Sequence, residues 1–244
     1  MRLKVKKENG FTLIELVILI IIMGIFVSVA SQRMSTTIDT ARFEQTRSEL
    51  RQLDYAISGN PDLYTNGTRS DYGYVGDVGS LPPDLEALYT NSGGFSSWDG
   101  PYIQSGSFGN EHTKDAWSVD YVYTGSLIRS TGSGTTIEKQ LISSADLLNN
   151  SISGFVVDAN NSSPGIVYKD SLLISITYPN GSGSYNTITL NPRKDGSFSI
   201  SNIPIGNQTL SLIYIPENDT VTYRVGVDPG SQAKLDLSLS SDLW

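Results

Sequence analysis

One carboxylate interrupts the apolar segment near the N-terminus, and its chemistry needs a partner. Glu15 is the only charged residue in FTLIELVILIIIMGIFVSVA, residues 11–30. A charged side chain costs about 2.5–3.5 kcal/mol at the centre of a membrane helix, and less near its end. A carboxylate in such a segment is therefore a candidate for a functional contact with a group of opposite charge.

Residue types that support catalysis or metal binding are sparse in the rest of the chain. Cysteine is absent, and the only histidine is His112 in the polar stretch GNEHTKD, which predicts a surface position. Without a second histidine or a thiolate, the common zinc sites and catalytic triads cannot form. We therefore expect no enzyme activity; a membrane-tethered hydrolase that uses paired acids is an alternative that no motif favours.

Four acids near the middle of the chain are the only group that resembles an oxygen site for a hard cation. They follow no known ligand spacing, so we interpret them as solvated loop carboxylates. These residues are Asp99, Glu111, Asp115 and Asp120.

Composition and charge limit the classes of partner. The chain has 244 residues, of which 38% are hydrophobic, enough for a sizeable core. Beyond residue 10, 13 basic residues face 24 acidic ones, a net charge of −11. A nucleic-acid surface would require clustered Lys and Arg, so we expect no nucleic-acid partner.

The element that carries Glu15 is long enough to cross a membrane. Twenty residues of helix extend about 30 Å, the thickness of a bilayer core. Arg2, Lys4, Lys6 and Lys7 precede it, which predicts a cytoplasmic N-terminus and an external remainder. Two alternatives are a secretory signal cut near SVAS, residues 28–31, and a plain signal anchor.

The start of this segment resembles the type IV pilin and pseudopilin superfamily. Its prepilins carry a basic leader that ends in glycine, followed by a hydrophobic residue and T-L-[IV]-E-L. The resemblance implies that a prepilin peptidase cuts between Gly10 and Phe11 and methylates the new amino group of Phe11. It also implies that Glu15 pairs with the Phe11 amine of a neighbouring subunit during assembly. The matching residues are Gly10, Phe11, Thr12, Leu13, Ile14, Glu15 and Leu16.

The helix is predicted to continue well beyond the membrane segment. No proline occurs between residues 11 and 60, and Gly59, Asn60 and Pro61 form a stop signal. Apolar residues recur at spacings of three and four, which indicates a stripe that packs on a globular head. The stripe consists of Met34, Ile38, Ala41, Leu50, Leu53 and Ile57.

Residues 61–145 resemble the head of the major pseudopilin of type II secretion. We predict a short helix from Pro83 to Tyr89 and then strands whose Trp and Tyr residues belong to the core. The matching residues are Leu81, Pro82, Leu85, Leu88, Trp98, Gly100, Pro101, Tyr102, Ile103, Asp115, Trp117, Tyr121 and Tyr123.

This resemblance has two departures from the family pattern. Ala116 and Ser118 replace a proline and a glycine of the family. The family's calcium loop follows this strand, whereas the present chain has few acids there, so no ligand is carried over. We expect no cofactor. Family analogy suggests calcium as an alternative, but the family's calcium-ligand loop is not recognised in this sequence.

From about Ile152 the sequence changes to seven short β-type runs separated by turns, which indicates an all-β sandwich. The region resembles the carboxypeptidase regulatory-like, transthyretin-like module, whose members are usually non-catalytic. Gln208 replaces that module's usual aromatic residue. The matching residues are Gly154, Val156, Asp158, Asp195, Gly196, Phe198, Ile200, Ile203, Pro204 and Gly206.

These observations predict an α+β protein: a long N-terminal membrane-spanning helix packed on a small antiparallel sheet, plus an all-β sandwich. The predicted divisions are a leader (1–10), a transmembrane half-helix (11–30), a pilin-like helix and head (31–150) and the sandwich (151–244), with a linker near 145–151.

The predicted function is that of a structural subunit of a type II secretion pseudopilus or type IV pilus-like filament. The alternative is a minor or tip-located adhesive pilin whose sandwich binds a surface or cargo. The resemblance implies three partners: prepilin peptidase, other pilin or pseudopilin copies, and an inner-membrane assembly platform. It implies a single-pass protein of the bacterial inner membrane with a periplasmic or extracellular head.

Overall fold

The computed structural model of the chain describes residues 10–103, 111–240 and 242–244. Contacts divide the chain into two compact units, Met1–Gln45 and Thr46–Trp244. Residues 1–9 of the predicted leader (1–10) lie outside the described residues. An N-terminal helix and many antiparallel strands confirm the predicted α+β class.

Helix α1 spans Leu13–Ser58 without interruption and confirms the prediction of one long helix. It ends at Gly59, whose φ of +79° is the left-handed conformation that commonly follows a helix. The Gly59 N–H donates to the Tyr55 carbonyl at 2.7 Å. The stop signal read from the sequence therefore lies at the observed helix end.

The predicted apolar stripe of α1 divides into two parts with different surroundings. Within the first unit, Met34 and Ile38 are 67% and 42% exposed. Within the second unit, Leu50, Leu53 and Ile57 are buried and form part of the core. Only the later part of the stripe thus packs within the single chain.

The second unit continues with short elements that cover the end of α1. Strands β1 (Tyr64–Thr65) and β2 (Thr68–Arg69) form a hairpin, and helix α2 spans Gly73–Val78. A 3₁₀ helix at Glu86–Leu88 replaces the longer helix predicted from Pro83 to Tyr89. Another 3₁₀ helix spans Glu111–Thr113. Turns dominate here because the region has many Gly, Pro and Ser residues.

A three-stranded antiparallel sheet follows: β3 (Val122–Tyr123), β4 (Leu127–Ser130) and β5 (Ile137–Gln140). Ile128 on β4 is fully buried, and Ile137 on β5 is nearly so. Lys139 of β5 pairs with Asp54 of α1 at 3.0 Å, so this small sheet lies beside the later part of the helix, as predicted.

Helix α3, Ser144–Leu148, occupies most of the segment predicted to be a linker, and the next strand begins at Asn150. Leu147 is fully buried, and its carbonyl accepts a hydrogen bond from the Ile205 N–H at 2.9 Å. The segment is therefore a packed part of the second unit and not an extended linker.

The remaining strands form two sheets that enclose one hydrophobic core, as the predicted sandwich requires. One sheet has the order β11-β10-β7-β8; in the other, β6 pairs with β9 and, in parallel, with β12 and β13. A short helix, α4 (Gly165–Tyr168), precedes a 3₁₀ turn at Lys169–Ser171. The strands are β6 (Asn150–Val157), β7 (Leu172–Pro179), β8 (Tyr185–Leu190), β9 (Ser197–Ile203), β10 (Gly206–Tyr214), β11 (Asp219–Val227), β12 (Gln232–Lys234) and β13 (Leu237–Ser238).

Alternation along the strands explains why this sandwich forms. On β10, Leu210, Leu212 and Tyr214 face inward, while the intervening residues are more exposed. They join Ile152 of β6 and Phe198 of β9 in a single core cluster. A period of two places one face of each strand in the core and leaves the other to solvent.

Candidate processing and assembly site

Helix α1 begins with a reciprocal hydrogen-bonded pair, Thr12 and Glu15. The Thr12 backbone N–H and its hydroxyl each donate to Glu15 Oε2 at 2.9 Å. The Glu15 N–H is 3.3 Å from Thr12 Oγ1 and donates to it. This arrangement is a capping box, which satisfies N–H groups that the first turn of a helix leaves without partners. It also holds the Glu15 carboxylate at the N-terminal end of the helix.

Within residues 10–103, 111–240 and 242–244, the hydrogen-bond donors to the Glu15 carboxylate are neutral. Among the ion pairs of the described residues, none involves Glu15. Phe11 is 78% exposed, and Gly10 before it is exposed as well. The three predicted site residues therefore lie together at the start of α1, and both sides of the predicted cleavage point are accessible.

The apolar part of α1 is suited to a membrane. By length and composition the helix could cross a bilayer, a test that a signal sequence near an N-terminus also passes. Its large apolar side chains are exposed, among them Leu13 (83%), Phe26 (67%) and Val27 (66%). Such a surface requires lipid or other helices around it.

Asp115, one of the four candidate acids, has a role different from the solvated one predicted. It is only 4% exposed. Its Oδ1 accepts from the Trp117 and Val119 N–H groups at 2.9 and 3.0 Å. Its Oδ2 accepts from the Ser130 hydroxyl at 2.6 Å and the Gly132 N–H at 3.1 Å.

These four bonds make Asp115 the centre of the turn that leads into the small sheet. Burial alone would raise its pKa, but the hydrogen bonds outweigh burial and hold the pKa below its usual value. The carboxylate therefore connects the turn at Trp117 to β4 and the loop after it.

The same geometry does not fit a calcium ion at this loop. Both Asp115 oxygens already face N–H or O–H donors, and a cation needs oxygen ligands free to face it. Asp99 and Asp120 are exposed, and the Glu111 side chain lies outside the described residues. Within the described ranges, no group of three or more His, Cys, Asp or Glu residues could hold a metal.

The prediction that His112 is a surface residue is wrong. Its side chain is only 3% exposed, and Nε2 lies 3.3 Å from Glu86 Oε2. Its ring also lies against Tyr89, with 5.2 Å between ring centroids. The polar sequence around His112 gave no sign of this burial, because the residues that cover it come from the segment near residue 86.

The predicted core aromatics pack on one another and on α1. Trp98 and Tyr102 meet edge to face at 5.5 Å between centroids, and Trp98 Nε1 donates to the Ala87 carbonyl at 3.1 Å. The Tyr121 hydroxyl donates to Glu49 on α1 at 2.7 Å. These aromatics therefore have structural contacts.

The sequence did not predict the role of Arg69, a residue of β2 that is 6% exposed and contacts the C-terminal end of α1. Its Nη2 donates to the Ser58 carbonyl at 2.6 Å, and its Nε donates to the Asp71 carbonyl at 2.8 Å. A cation at a helix C-terminus satisfies carbonyls that the last turn leaves unpaired. A lone arginine in NGTRSD carries no sequence signal for this role.

Comparisons with known proteins agree with the N-terminal features. Residues 5–31 match the family described as the prokaryotic N-terminal methylation motif. The chain is also 27% identical over 97 residues to the type II secretion system core protein G of Xanthomonas campestris pv. campestris. That match covers 40% of this chain and 58% of the protein G sequence.

Solved structures resemble parts of the chain only weakly. The Bacillus anthracis TIE protein gives a TM-score of 0.31 at 15% identity, covering 43% of this chain and 18% of that one. A streptococcal ancillary pilin gives a TM-score of 0.26 at 16% identity, covering 42% of this chain and 36% of that one. Scores of this size do not establish a shared fold. The methylation motif and the protein G similarity are what support a type IV pilin or pseudopilin.

Proposed function

We propose that the chain is a non-enzymatic structural subunit of a type II secretion pseudopilus or a related type IV pilus-like filament. Prepilin peptidase cuts between Gly10 and Phe11 and methylates the Phe11 amine. Subunits then assemble through α1, with Glu15 of one subunit paired to the Phe11 amine of a neighbour.

The observation that carries this proposal is the position of Glu15 within the methylation motif. Its carboxylate lies at the N-terminal end of α1, where its one hydrogen-bonding partner in the described part of the chain is Thr12. Hydroxyl and amide donors do not neutralise a carboxylate, so the charge retains its preference for a cation. Cleavage after Gly10 would create a new amine, and a filament would supply one from each neighbour.

Exposure of the apolar half of α1 supports assembly as well. The exposed residues of the stripe, Met34 and Ile38, lie beyond the predicted membrane segment and would pack on neighbouring helices. The remaining partners in this proposal are the inner-membrane assembly platform and other pilins or pseudopilins. The N-terminus is cytoplasmic and the second unit is periplasmic or extracellular.

The direct test is the intact mass and N-terminal sequence of the protein recovered from membranes of a host with its own prepilin peptidase. A chain that begins at N-methylated Phe11 is the expected result. The same gene in a peptidase-deficient host is the control and should retain Met1. A start at Met1 in both hosts, or a cut after Ala30, would contradict the proposal.

A second candidate is a minor or tip-located adhesive subunit. The sandwich that begins at Asn150 favours it, because these eight strands form a core of their own beyond the helix and small sheet. We propose that this sandwich is a carboxypeptidase regulatory-like module. Counting copies per filament distinguishes the candidates: a bulk subunit repeats along the whole filament, whereas a tip subunit occurs once or a few times.

A further inference from the structure

A polar cavity of about 290 Å³ lies within the second unit, where helix α2 meets the sandwich. Asp77 of α2 lines one side. Thr177 of β7, Tyr185 of β8 and Asn207, Gln208 and Thr209 of β10 line the other. All of its lining residues belong to the described part of the chain.

Close backbone contacts hold the two sides of the cavity together. The Gly181 N–H donates to the Val78 carbonyl at 2.8 Å, which ties the loop after β7 to α2. Gly206, at the start of β10, has a φ of +142°. A Cβ there would lie 2.9 Å from Gln208 Nε2 and 3.1 Å from the Gly76 carbonyl oxygen. Glycine therefore permits the approach, and the cavity walls are fixed by the fold.

Two of the polar side chains in the walls are held in place. Gln208 is 2% exposed, and its Nε2 donates to the Pro204 carbonyl at 3.2 Å. Tyr102 donates to the Asp77 carboxylate from outside the cavity. Fixed donors and acceptors of this kind select a ligand by the directions of its hydrogen bonds.

The lining excludes several ligand classes. It contains no Lys, Arg or His, so an anion such as a phosphate would find no counter-charge. It contains one carboxylate, Asp77, which is too few for a hard cation that takes six or more oxygen ligands. Amides and hydroxyls make up most of the other side chains, so a purely apolar ligand would leave them unpaired.

We propose that this cavity binds a neutral saccharide of one or two rings. Neighbouring sugar hydroxyls both donate and accept, which matches a carboxylate, two amides and two threonine hydroxyls. The Tyr185 ring, 57% exposed, offers a flat apolar surface for the C–H face of a sugar. The cavity volume is near the lower end of the range of ligand pockets, about 300–1,000 Å³, which suits a small ligand.

The test uses the full-length chain in micelles of a detergent without a sugar head group, because an alkyl glycoside would compete for the cavity. The probes are glucose, galactose, N-acetylglucosamine and cellobiose, each up to about 10 mM, where weak binding is detectable. Saturation-transfer NMR reports binding, and titration gives the dissociation constant. At least one probe should bind.

Two variants at exposed positions test the location. Tyr185→Ala and Asn207→Ala should each raise the dissociation constant about fivefold or more, the effect of one lost contact. Asn186→Ala is the matched control for the same strand, because its side chain points to the opposite face from Tyr185. Tyr64→Ala is the control for loss of an exposed tyrosine, 65% exposed and outside the cavity. Both controls should bind like the wild type.

Failure of all four probes to bind the wild type would overturn the proposal. Binding that is equally strong in the cavity variants and the controls would also overturn it. Filament assembly is a separate measurement, since none of these residues lies on α1. A chain that assembles but binds no probe would therefore refute the saccharide site and leave the subunit role standing.

Discussion

Replacement of Asp115 should destabilise the second unit more than replacement of an exposed acid in the same unit. Asp115→Asn exchanges one oxygen for an NH₂ group, which would face either two backbone N–H groups or the Ser130 hydroxyl and the Gly132 N–H. Ser130 can rotate and accept a bond, but the backbone N–H groups cannot. Losing one or two charge-assisted bonds in a buried setting costs about 3 kcal/mol of unfolding free energy.

Urea unfolding of the full-length chain in detergent, followed by tryptophan fluorescence, measures this cost. Asp120→Asn is the matched control: the Asp120 side chain is 73% exposed and pairs with Lys114. Its loss should change stability by less than about 1 kcal/mol. Equal stability of the two variants would refute the assignment of Asp115 as the centre of the turn.

Lowering the pH should reveal the contribution of Asp115 to the stability of the wild type. Because the folded-state pKa of Asp115 is below the unfolded value of 3.8, its contribution is complete above that value. It is lost as the pH falls through the lower, folded pKa. Wild type and Asp115→Asn should therefore converge in stability at low pH, whereas parallel curves would contradict the mechanism.

Three further perturbations follow from the structure. Millimolar calcium or EDTA should leave the urea midpoint unchanged, because the Asp115 oxygens are already occupied; a calcium-dependent increase would indicate a metal site. Burial raises the pKa of Asp77 to about 6, so wild-type stability should fall by about 1–2 kcal/mol between pH 4 and 6, and Asp77→Asn should remove that slope. Glu15→Ala should insert in the membrane but fail to enter filaments. Thr12→Ala keeps the Glu15 charge and should assemble better than Glu15→Ala. Normal assembly of Glu15→Ala in sheared-filament preparations would disprove the pairing.

Elements with a periodic sequence signal could be predicted. The absence of proline and the spacing of Leu50, Leu53 and Ile57 indicated one helix, and α1 ends at Ser58 as Gly59 implied. Seven short β-type runs separated by turns indicated the sandwich, and strands formed in every predicted run. Both signals are local, since a helical period or a β-type run is complete within one element.

Features that depend on distant segments could not be predicted. The burial of His112 depends on Glu86 and Tyr89, and the saccharide cavity depends on Asp77 approaching Asn207. No spacing rule connects such positions, because tertiary packing brings them together. The predicted helix at 83–89 shortened to a 3₁₀ turn for a related reason: propensity is a weak guide where tertiary contacts compete with it.

Two carboxylates, Glu15 and Asp115, show why some functional residues can be recognised from sequence and others cannot. Glu15 was identifiable because its neighbours are apolar, so its charge is anomalous wherever the segment folds. Asp115 lies among polar residues, and its importance arises only from donors that the fold brings from β4 and the loop beyond it. The difference also predicts their roles: Asp115 has all its partners within the chain and acts in folding. Among the residues that the structure describes, Glu15 finds only neutral donors, so its charge remains available for a contact between subunits.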